Sequence, residues 1–320
     1  MAKNTQGFGD SPVAIGESDL TYDNLPDDVV PVNDLKVDEI EFQDLGNILP
    51  HGIFIEGERL NEYTLHPYKT KYDRILSNIM KASKRKFSAM LGEFLPNMVA
   101  SIGGYELRDV ANKLGCDSSS RIFQNMVFGD AMSLLYRIRV NSQGNHHVAI
   151  STQCPNCGTI NTDDPRKGRP YHDMGTVPVG VIANLKNPLE VAVRLPTGLT
   201  IFGQKCDVIY MKPLKLRQMD KISDSDNVED ISTLYETVSS IPQSEAYKNV
   251  RGQVFSDELY DELDMRDLQA LRDAVVSLQK VGPKLTIENE CYSCGYEWEV
   301  PLGLGRLREF LFVPVESGSR

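Results

Sequence analysis

No run of about 18 apolar residues occurs in the 320-residue chain, which excludes a helix of membrane-spanning hydrophobicity. The opening Met1-Ala2-Lys3-Asn4-Thr5 lacks the apolar core of a secretory leader, which predicts a soluble protein inside the cell, with no membrane partner. Basic residues are scarce where acid is dense. Met1 to Leu45 holds eleven acidic residues against Lys3 and Lys36 alone, so −9 of the formal charge of −11 lies there. A nucleic-acid surface needs clustered Lys and Arg to displace counterions from phosphates, and an acidic N-terminal region argues against such a partner. Catalytic signatures are missing too: there is no Gly-x-x-x-x-Gly-Lys-Ser/Thr loop, no His-Glu-x-x-His helix and no Gly-x-Ser-x-Gly elbow. Gly303-Leu304-Gly305 lacks the third glycine of a dinucleotide fingerprint. Asp224, Asp226 and Glu229 lack the loop length and glycine of an EF-hand. The expectation is a non-enzymatic chain with no small-molecule substrate.

What is present is ordinary globular composition, 41% apolar and 25% charged, enough for one or two domains. Residues 1–44 combine their acidity with Gly7, Gly9, Pro12, Gly16, Pro26 and Pro31, and show little apolar periodicity before Ile40 and Phe42. They predict an extended, flexible acidic arm, either a solvated tail or a segment that orders on a partner.

Beyond the arm the chain resembles itself. Leu49-Pro50-His51-Gly52 is matched by Leu195-Pro196-Thr197-Gly198, and seventeen residues after each proline stands another, Pro67 and Pro213. Each second proline precedes a predicted helix. The first helix spans Thr70 to Leu91, with Tyr72, Ile75, Ile79, Met80, Phe87, Met90 and Leu91 on one stripe and Lys81 and Lys84-Arg85-Lys86 in solvent. The second, through Leu216, Met219 and Ile222, is shorter. A new helix is expected to start at Asp226, with Glu229 three residues on, and to run through Val228, Ile231, Leu234, Tyr235 and Val238. Asp130 opens a helix continuing through Leu134 and Ile138, and Asp267 opens one through Leu271 and Val275. From each of these aspartates to the next cysteine, Cys154 or Cys291, is twenty-four residues. Two agreeing spacings predict an internal duplication.

Four of the six cysteines form two pairs, Cys154-Pro155-Asn156-Cys157-Gly158 and Cys291-Tyr292-Ser293-Cys294-Gly295. Two intervening residues let a tight turn aim both sulfurs at one point, and the following glycine accepts the positive φ that such a turn favours. Val148-Ala149-Ile150 and Leu285-Thr286-Ile287 read as strands leading into these knuckles, with Ile160 and Trp298 on the outgoing sides. One Zn²⁺ per chain held by Cys154, Cys157, Cys291 and Cys294 would staple one half to the other. With four thiolates it has no open position, and so reads as structural rather than catalytic. Separate metal sites, or a Cys-x-x-Cys thiol-redox pair, are the alternatives at these residues. His146, His147 and His172 are near enough in sequence to be spare ligands. Cys116 and Cys206 read as small buried apolar residues. After the second knuckle, Leu302, Leu304, Leu307, Phe310, Leu311 and Phe312 form an apolar segment, read mainly as a cover for the zinc hairpins.

The Leu-Pro-x-Gly segment at Leu49 to Gly52, the Asp-led helix before each hairpin, Cys154 to Gly158, and the run from Cys291 through Gly295-Tyr296-Glu297-Trp298-Glu299-Val300-Pro301-Leu302 together resemble the baseplate hub subunit family of contractile-tailed bacteriophages, the group related to the T-even hub assembly proteins. The resemblance spans roughly Leu45 to Val313. It implies a structural or assembly protein of the tail baseplate, with other baseplate and tail proteins as partners in an oligomeric assembly. The location it implies is the host cytoplasm during assembly and then the virion tail. Cys154, Cys157, Cys291 and Cys294 match its motif as metal ligands; the acidic arm lies outside it. A zinc-ribbon nucleic-acid-binding regulator, needing a basic face from Lys81 to Lys86 with Arg137 and Arg139, is the other functional class beside the redox protein.

The expected fold is α+β. It has the acidic arm at 1–44, a first half with its knuckle at 45–172 and a second half with its knuckle at 185–320, joined near Pro170 to Leu189.

Overall fold

A computed structural model describes residues 22, 24–72, 74–75, 86–144, 146–222, 231–244, 246–248, 257–284 and 286–301. The chain mixes helix and sheet. No helix among the described residues is long and apolar enough to cross a membrane.

The residues after the first two dozen enter the fold at once. Strand β1 (Val30–Pro31) pairs parallel to Val191 and Ala192, and β2 (Asp38–Glu41) pairs antiparallel to residues 178–181. Phe42, which follows β2, is 0% exposed. The free arm expected over 1–44 therefore does not extend through this stretch. Its charged residues sit on sheet edges while Ile40 and Phe42 face inward, and two strands' worth of tertiary pairing overrides an unpromising composition. Residues 1–21 lie outside the described residues.

A long hairpin follows, β3 (Ile48–Ile55) and β4 (Glu58–Leu65). Its two-residue tip puts Glu56 and Gly57 at φ 51° and 84°, the twist that lets a tight turn follow right-handed strands. The register runs Ile53↔Leu60 near the tip but Ile48↔Glu62 at the base, so four residues of β3 lie opposite one of β4. That bulge is Leu49-Pro50-His51-Gly52. Proline, which has no N–H for a ladder, and Gly52, at φ 84°, are the residue types a bulge of this kind takes.

Residues 70–72 and 74–75 are helical, and α1 (Phe87–Met98) starts afresh after Lys86, whose ψ of 145° is extended. The single helix expected from Thr70 to Leu91 is thus broken at Lys86, and Ile79 and Met80 lie outside the described residues. Tyr72, Met90 and Leu91 are buried as expected. Strand β5 (Val99–Ile102) pairs with β4, and β6 (Tyr105–Glu106) with β5. Helices α2 (Leu107–Lys113) and α3 (Ser119–Asn125) then lead to α4 (Phe128–Gln143), which packs on β3 and stops at Gly144, φ 67°. Phe94, Leu95, Ile102, Phe123, Met132, Leu134 and Tyr136 form the centre of this region's core.

Short strands carry the chain onward: β7 (His147–Val148), β8 (Ser151–Gln153), β9 (Ile160–Thr162), β10 (His172–Asp173) and β11 (Pro178–Val181). Val148-Ala149-Ile150 is not the strand into the first knuckle. His147 and Val148 pair with β10 instead, and the knuckle strand is β8, paired with β9.

A second long hairpin follows, β12 (Val191–Ile201) and β13 (Gln204–Met211). Its tip, Phe202-Gly203, has φ 50° and 82°, and the four residues between Arg194 and Leu199 stand opposite the single residue between Val208 and Cys206. Leu195-Pro196-Thr197-Gly198 fills that bulge. A 3-10 turn at Leu216–Asp220 replaces the short helix expected there; Asp226 and Glu229 lie outside the described residues. Helix α5 (Ile231–Thr237) ends before β14 (Val238–Ser240), which pairs with β13, so Val238 belongs to a strand rather than to the helix. Helix α6 (Asp257–Asp261) precedes α7 (Met265–Gln279), which packs on β12 and buries Leu268, Leu271, Val275 and Leu278 in a second cluster with Leu195, Leu199, Ile209 and Leu234. The chain then forms β15 (Gly282–Pro283), β16 (Thr286–Glu290) and β17 (Glu297–Pro301).

Asp130 and Asp267 are the third residues of α4 and α7, not their caps. Asp130 accepts from the amides of His51 (2.7 Å) and Gly52 (2.9 Å), and Asp267 accepts from the amide of Thr197 (2.8 Å). Each carboxylate catches the Leu-Pro-x-Gly bulge of the hairpin its helix packs on. Around the first bulge Arg59 donates to the carbonyls of Pro50, His51 and Ile182, while buried His51 accepts from the amide of Leu189 through Nε2. Burial pushes the His51 pKa down to about 4 and that of Asp130 up to about 7.

Strand β11 lies between β2 and β15. A Cβ on Gly129 would sit 2.1 Å from the Val281 carbonyl oxygen, and one on Gly180 1.8 Å from that of Lys280. Glycine at both positions lets the end of α7 lie directly against the start of α4 and against β11.

Candidate metal centre

The two knuckles are built by the same local bonds. The amide of Cys154 donates to the Thr159 carbonyl (2.9 Å) and that of Gly158 to the Cys154 carbonyl (3.0 Å). In the second knuckle the amide of Cys291 donates to the Tyr296 carbonyl (2.9 Å) and that of Gly295 to the Cys291 carbonyl (2.8 Å). Gly158 and Gly295 have φ 74° and 69°, as the sequence predicts for the residue closing each turn. Hairpins β8–β9 and β16–β17 present these turns.

The turns meet. Cys154 Sγ lies 3.8 Å from Cys294 Sγ and Cys157 Sγ 3.5 Å from Cys291 Sγ, and all four sulfurs fall within 4.8 Å of one another. A tetrahedron with Zn–S near 2.3 Å has edges of about 3.8 Å, close to these two cross-knuckle separations, so the cluster could hold a metal ion. Both of these short sulfur contacts cross between the knuckles, and all four cysteines are free thiols. Cys154 and Cys291 are buried, Cys157 and Cys294 exposed.

Polar groups around the sulfurs favour negative charge there. Asn156 Nδ2 donates to Cys294 Sγ (3.6 Å) and Asn161 Nδ2 to Cys291 Sγ (3.7 Å), while Thr159 Oγ1 lies 3.2 Å from Cys157 Sγ. Burial opposes ionisation of Cys291, but the amides of Ser293 and Cys294 and the neighbouring thiols outweigh it and draw its pKa down to about 6. Burial dominates at Cys154 and pushes it up to about 11. A cation between the sulfurs would relieve that conflict. The four residues fit a structural metal; when bound, it would supply a closed cross-link between residues 154–157 and 291–294.

The hairpins are also joined directly. Asn289 Nδ2 donates to Thr152 Oγ1 (2.7 Å), the Tyr292 amide to Asn161 Oδ1 (3.0 Å), and the Tyr292 hydroxyl to Asp163 Oδ1 (3.1 Å). Arg169 stacks 4.1 Å over the Tyr292 ring. Asn161, Asp163 and Arg169 follow the first knuckle, Thr152 and Asn289 lie on the strands entering the two knuckles, and Tyr292 sits within the second; their pairing is recognisable only once the hairpins face each other.

The histidines considered as spare ligands stay outside the sulfur cluster. His172 Nε2 lies 3.7 Å from Asp163, and His146 packs edge-on to Phe42 at 6.5 Å between ring centres. Among the described residues the four cysteines are the one group of three or more His, Cys, Asp or Glu that brings its ligand atoms together. Cys206 is buried and Cys116 half-buried, in line with apolar roles.

No protein-family model matches the chain, and searches of curated proteins and of solved structures likewise return no match.

Proposed function

We propose that this chain is a non-enzymatic structural or assembly protein of a contractile phage tail baseplate hub, made of two related halves clasped by one structural zinc. The observation that carries the structural part is the meeting of two like-built knuckles, far apart in sequence, with all four sulfurs within 4.8 Å of one another. Duplication is supported by order as well as spacing. In each half a bulged Leu-Pro-x-Gly hairpin is followed by a helical excursion, a third strand on its free edge, a helix whose third residue catches the bulge, and a knuckle hairpin. The sequence match also runs further than Leu-Pro-x-Gly: Ile53-Phe54-Ile55-Glu56-Gly57 lies over Leu199-Thr200-Ile201-Phe202-Gly203, with the same turn. Four-thiolate ligation leaves no position for substrate, in keeping with an architectural role.

The baseplate part rests on the sequence resemblance, and its partners are other baseplate and tail proteins. The nucleic-acid alternative loses two of the residues it needs. Arg137 donates to the carbonyls of Phe42 and Gly46, and Arg139 is buried. The redox alternative, which needs one Cys-x-x-Cys pair alone, does not account for both pairs meeting in a single cluster of four sulfurs.

Elemental analysis of purified wild-type protein beside Cys154→Ser and Cys291→Ser tests the clasp. One zinc per chain, lost in both variants, is the expected result, with all four thiols reacting slowly until a chelator is added. Zinc retained in either variant refutes the shared site. The baseplate role is tested separately: tagged chain expressed during infection by the phage that encodes it should co-purify with tail baseplate proteins, and consistent failure to do so would remove that role.

A further inference from the structure

Asn161 stands between the two knuckles and touches both. It is 1% exposed in β9, and both ends of its side-chain amide are engaged. Nδ2 donates to the Thr159 carbonyl (3.0 Å), which belongs to the first knuckle, and to Cys291 Sγ (3.7 Å), which belongs to the second. Oδ1 accepts from the amide of Tyr292 (3.0 Å), the residue after that cysteine. One planar amide therefore holds the backbone of one turn, the backbone of the other and a candidate ligand sulfur in a fixed relation. Thr152, its register partner in β8, accepts from Asn289 of β16, so the strand beside the contact is anchored as well. The Cys291 sulfur also receives the amides of Ser293 and Cys294 from its own turn. Cys154 receives those of Asn156 and Cys157 in the same way, so such donors come with the turn. The Asn161 donor does not. Its matching position in the second knuckle, seven residues beyond the first cysteine, is Trp298, which pairs with Asn289 as Asn161 pairs with Thr152. An indole has one donor and no acceptor and cannot make the same bonds. Asn156 Nδ2 also crosses, to Cys294 Sγ (3.6 Å), but Asn156 is exposed and water can take its place.

We infer that Asn161 is the positioning residue of the metal centre: from the first half of the chain it holds the Cys291 sulfur of the second half where the other three sulfurs meet it. This rests on the reading of the four cysteines as one metal site and is independent of the baseplate role. Four thiolates around a divalent cation leave the centre negatively charged, and a buried N–H directed at a sulfur disperses part of that charge where water is excluded. The same bond keeps the sulfur from turning away when the metal is challenged by a competitor. Loss of an outer partner of this kind lowers metal affinity by about 10–100-fold.

The test compares the full chain as wild type, Asn161→Ala, Asn156→Ala and Tyr292→Phe, loaded with Zn²⁺ for chelator competition and with Co²⁺ for its sulfur-to-metal charge-transfer band. Asn161→Ala should bind metal about 10–100-fold more weakly than wild type, and its band should move to lower energy because the sulfur lone pair has lost a hydrogen bond. Asn156→Ala should stay close to wild type. Tyr292→Phe cuts the bond to Asp163 between the same hairpins without touching a sulfur, and should leave the band in place. The same band shift in Tyr292→Phe overturns the inference, since Asn161 is then one structural contact among several. Wild type with one metal per chain beside an Asn161→Ala of unchanged affinity and band leaves the metal clasp standing and refutes the role of Asn161 alone; wild type that takes up neither metal refutes the clasp and this inference with it. Should Asn161→Ala fail to fold, wild-type protein loaded with spin-active cadmium carries the test by NMR. A side-chain amide proton of Asn161 should show coupling to the metal through the Cys291 sulfur, and its absence overturns the inference.

Discussion

Replacing Asp130 by alanine measures how firmly a buried carboxyl group holds its Leu-Pro-x-Gly bulge. Asp130 is fully buried, and its two oxygens accept from the amides of His51 and Gly52, which are themselves buried. Truncation strands two donors away from water, and at about 1–3 kcal/mol for each the variant should lose about 2–6 kcal/mol. The second half provides an internal control. Asp267 accepts from one amide only, its Oδ2 has no partner, and the donor residue Thr197 is exposed, so water can replace the lost acceptor. Asp267→Ala should therefore cost only about 1 kcal/mol, the low end of the same range. Urea denaturation followed by circular dichroism and Trp298 emission reads both. It should be run below the Asp130 pKa of about 7, where the carboxyl group is neutral and the comparison counts hydrogen bonds rather than a buried charge. Equal losses for the two variants would refute the reasoning.

The same cluster predicts opposed pH dependences. Burial lowers His51 from 6.5 to about 4, so its contribution is present above 6.5 and is lost as pH falls through about 4; Asp130, raised from 3.8 to about 7, contributes below 3.8 and loses that as pH rises through about 7. Asp130→Asn should leave a protein whose stability rises with pH between about 4 and 6.5, and His51→Gln one whose stability falls toward about 7; slopes of the same sign in the two variants would contradict the assignment. Gly129→Ala places a methyl group 2.1 Å from the Val281 carbonyl, against backbone, and should cost at or beyond the top of the usual overpacking range of about 1–3 kcal/mol; an unchanged melting temperature would show that the two segments are not in contact. Phe202 is 87% exposed at φ 50°, so Phe202→Asn, which suits that turn position, should raise stability by about 1 kcal/mol in the same denaturation assay, and a loss would show that the ring has a structural role.

The two Cys-x-x-Cys turns, the Leu-Pro-x-Gly pair and the long helices α4 and α7 were legible in the sequence because each is fixed locally. Two residues between cysteines, glycine at positive φ and apolar residues on one helical stripe need no distant partner to be recognised. Boundaries set by distant partners were not legible. β1 and β2 lie in a stretch whose acidity and prolines suggest a free arm, yet β12 and β11 supply their ladders and the core takes Phe42. Val148 belongs to a strand whose partner, His172, lies beyond the knuckle, which displaced the expected hairpin strand by a few residues.

The roles of polar side chains were the least visible. Asp130 and Asp267 look like helix-starting residues in sequence, and Asn161 and Tyr292 have no signature at all. Their functions depend on which backbone amide or sulfur stands opposite after folding. The sequence alone determined the two knuckles, their four cysteines and the repeated spacings, because short-range backbone geometry dictates those residue types. Only tertiary structure decided that the two knuckles face one another and that aspartates latch the bulges. Those facts depend on contacts between residues far apart in the chain, and hydrogen-bond satisfaction and burial at such contacts exist only in the folded molecule.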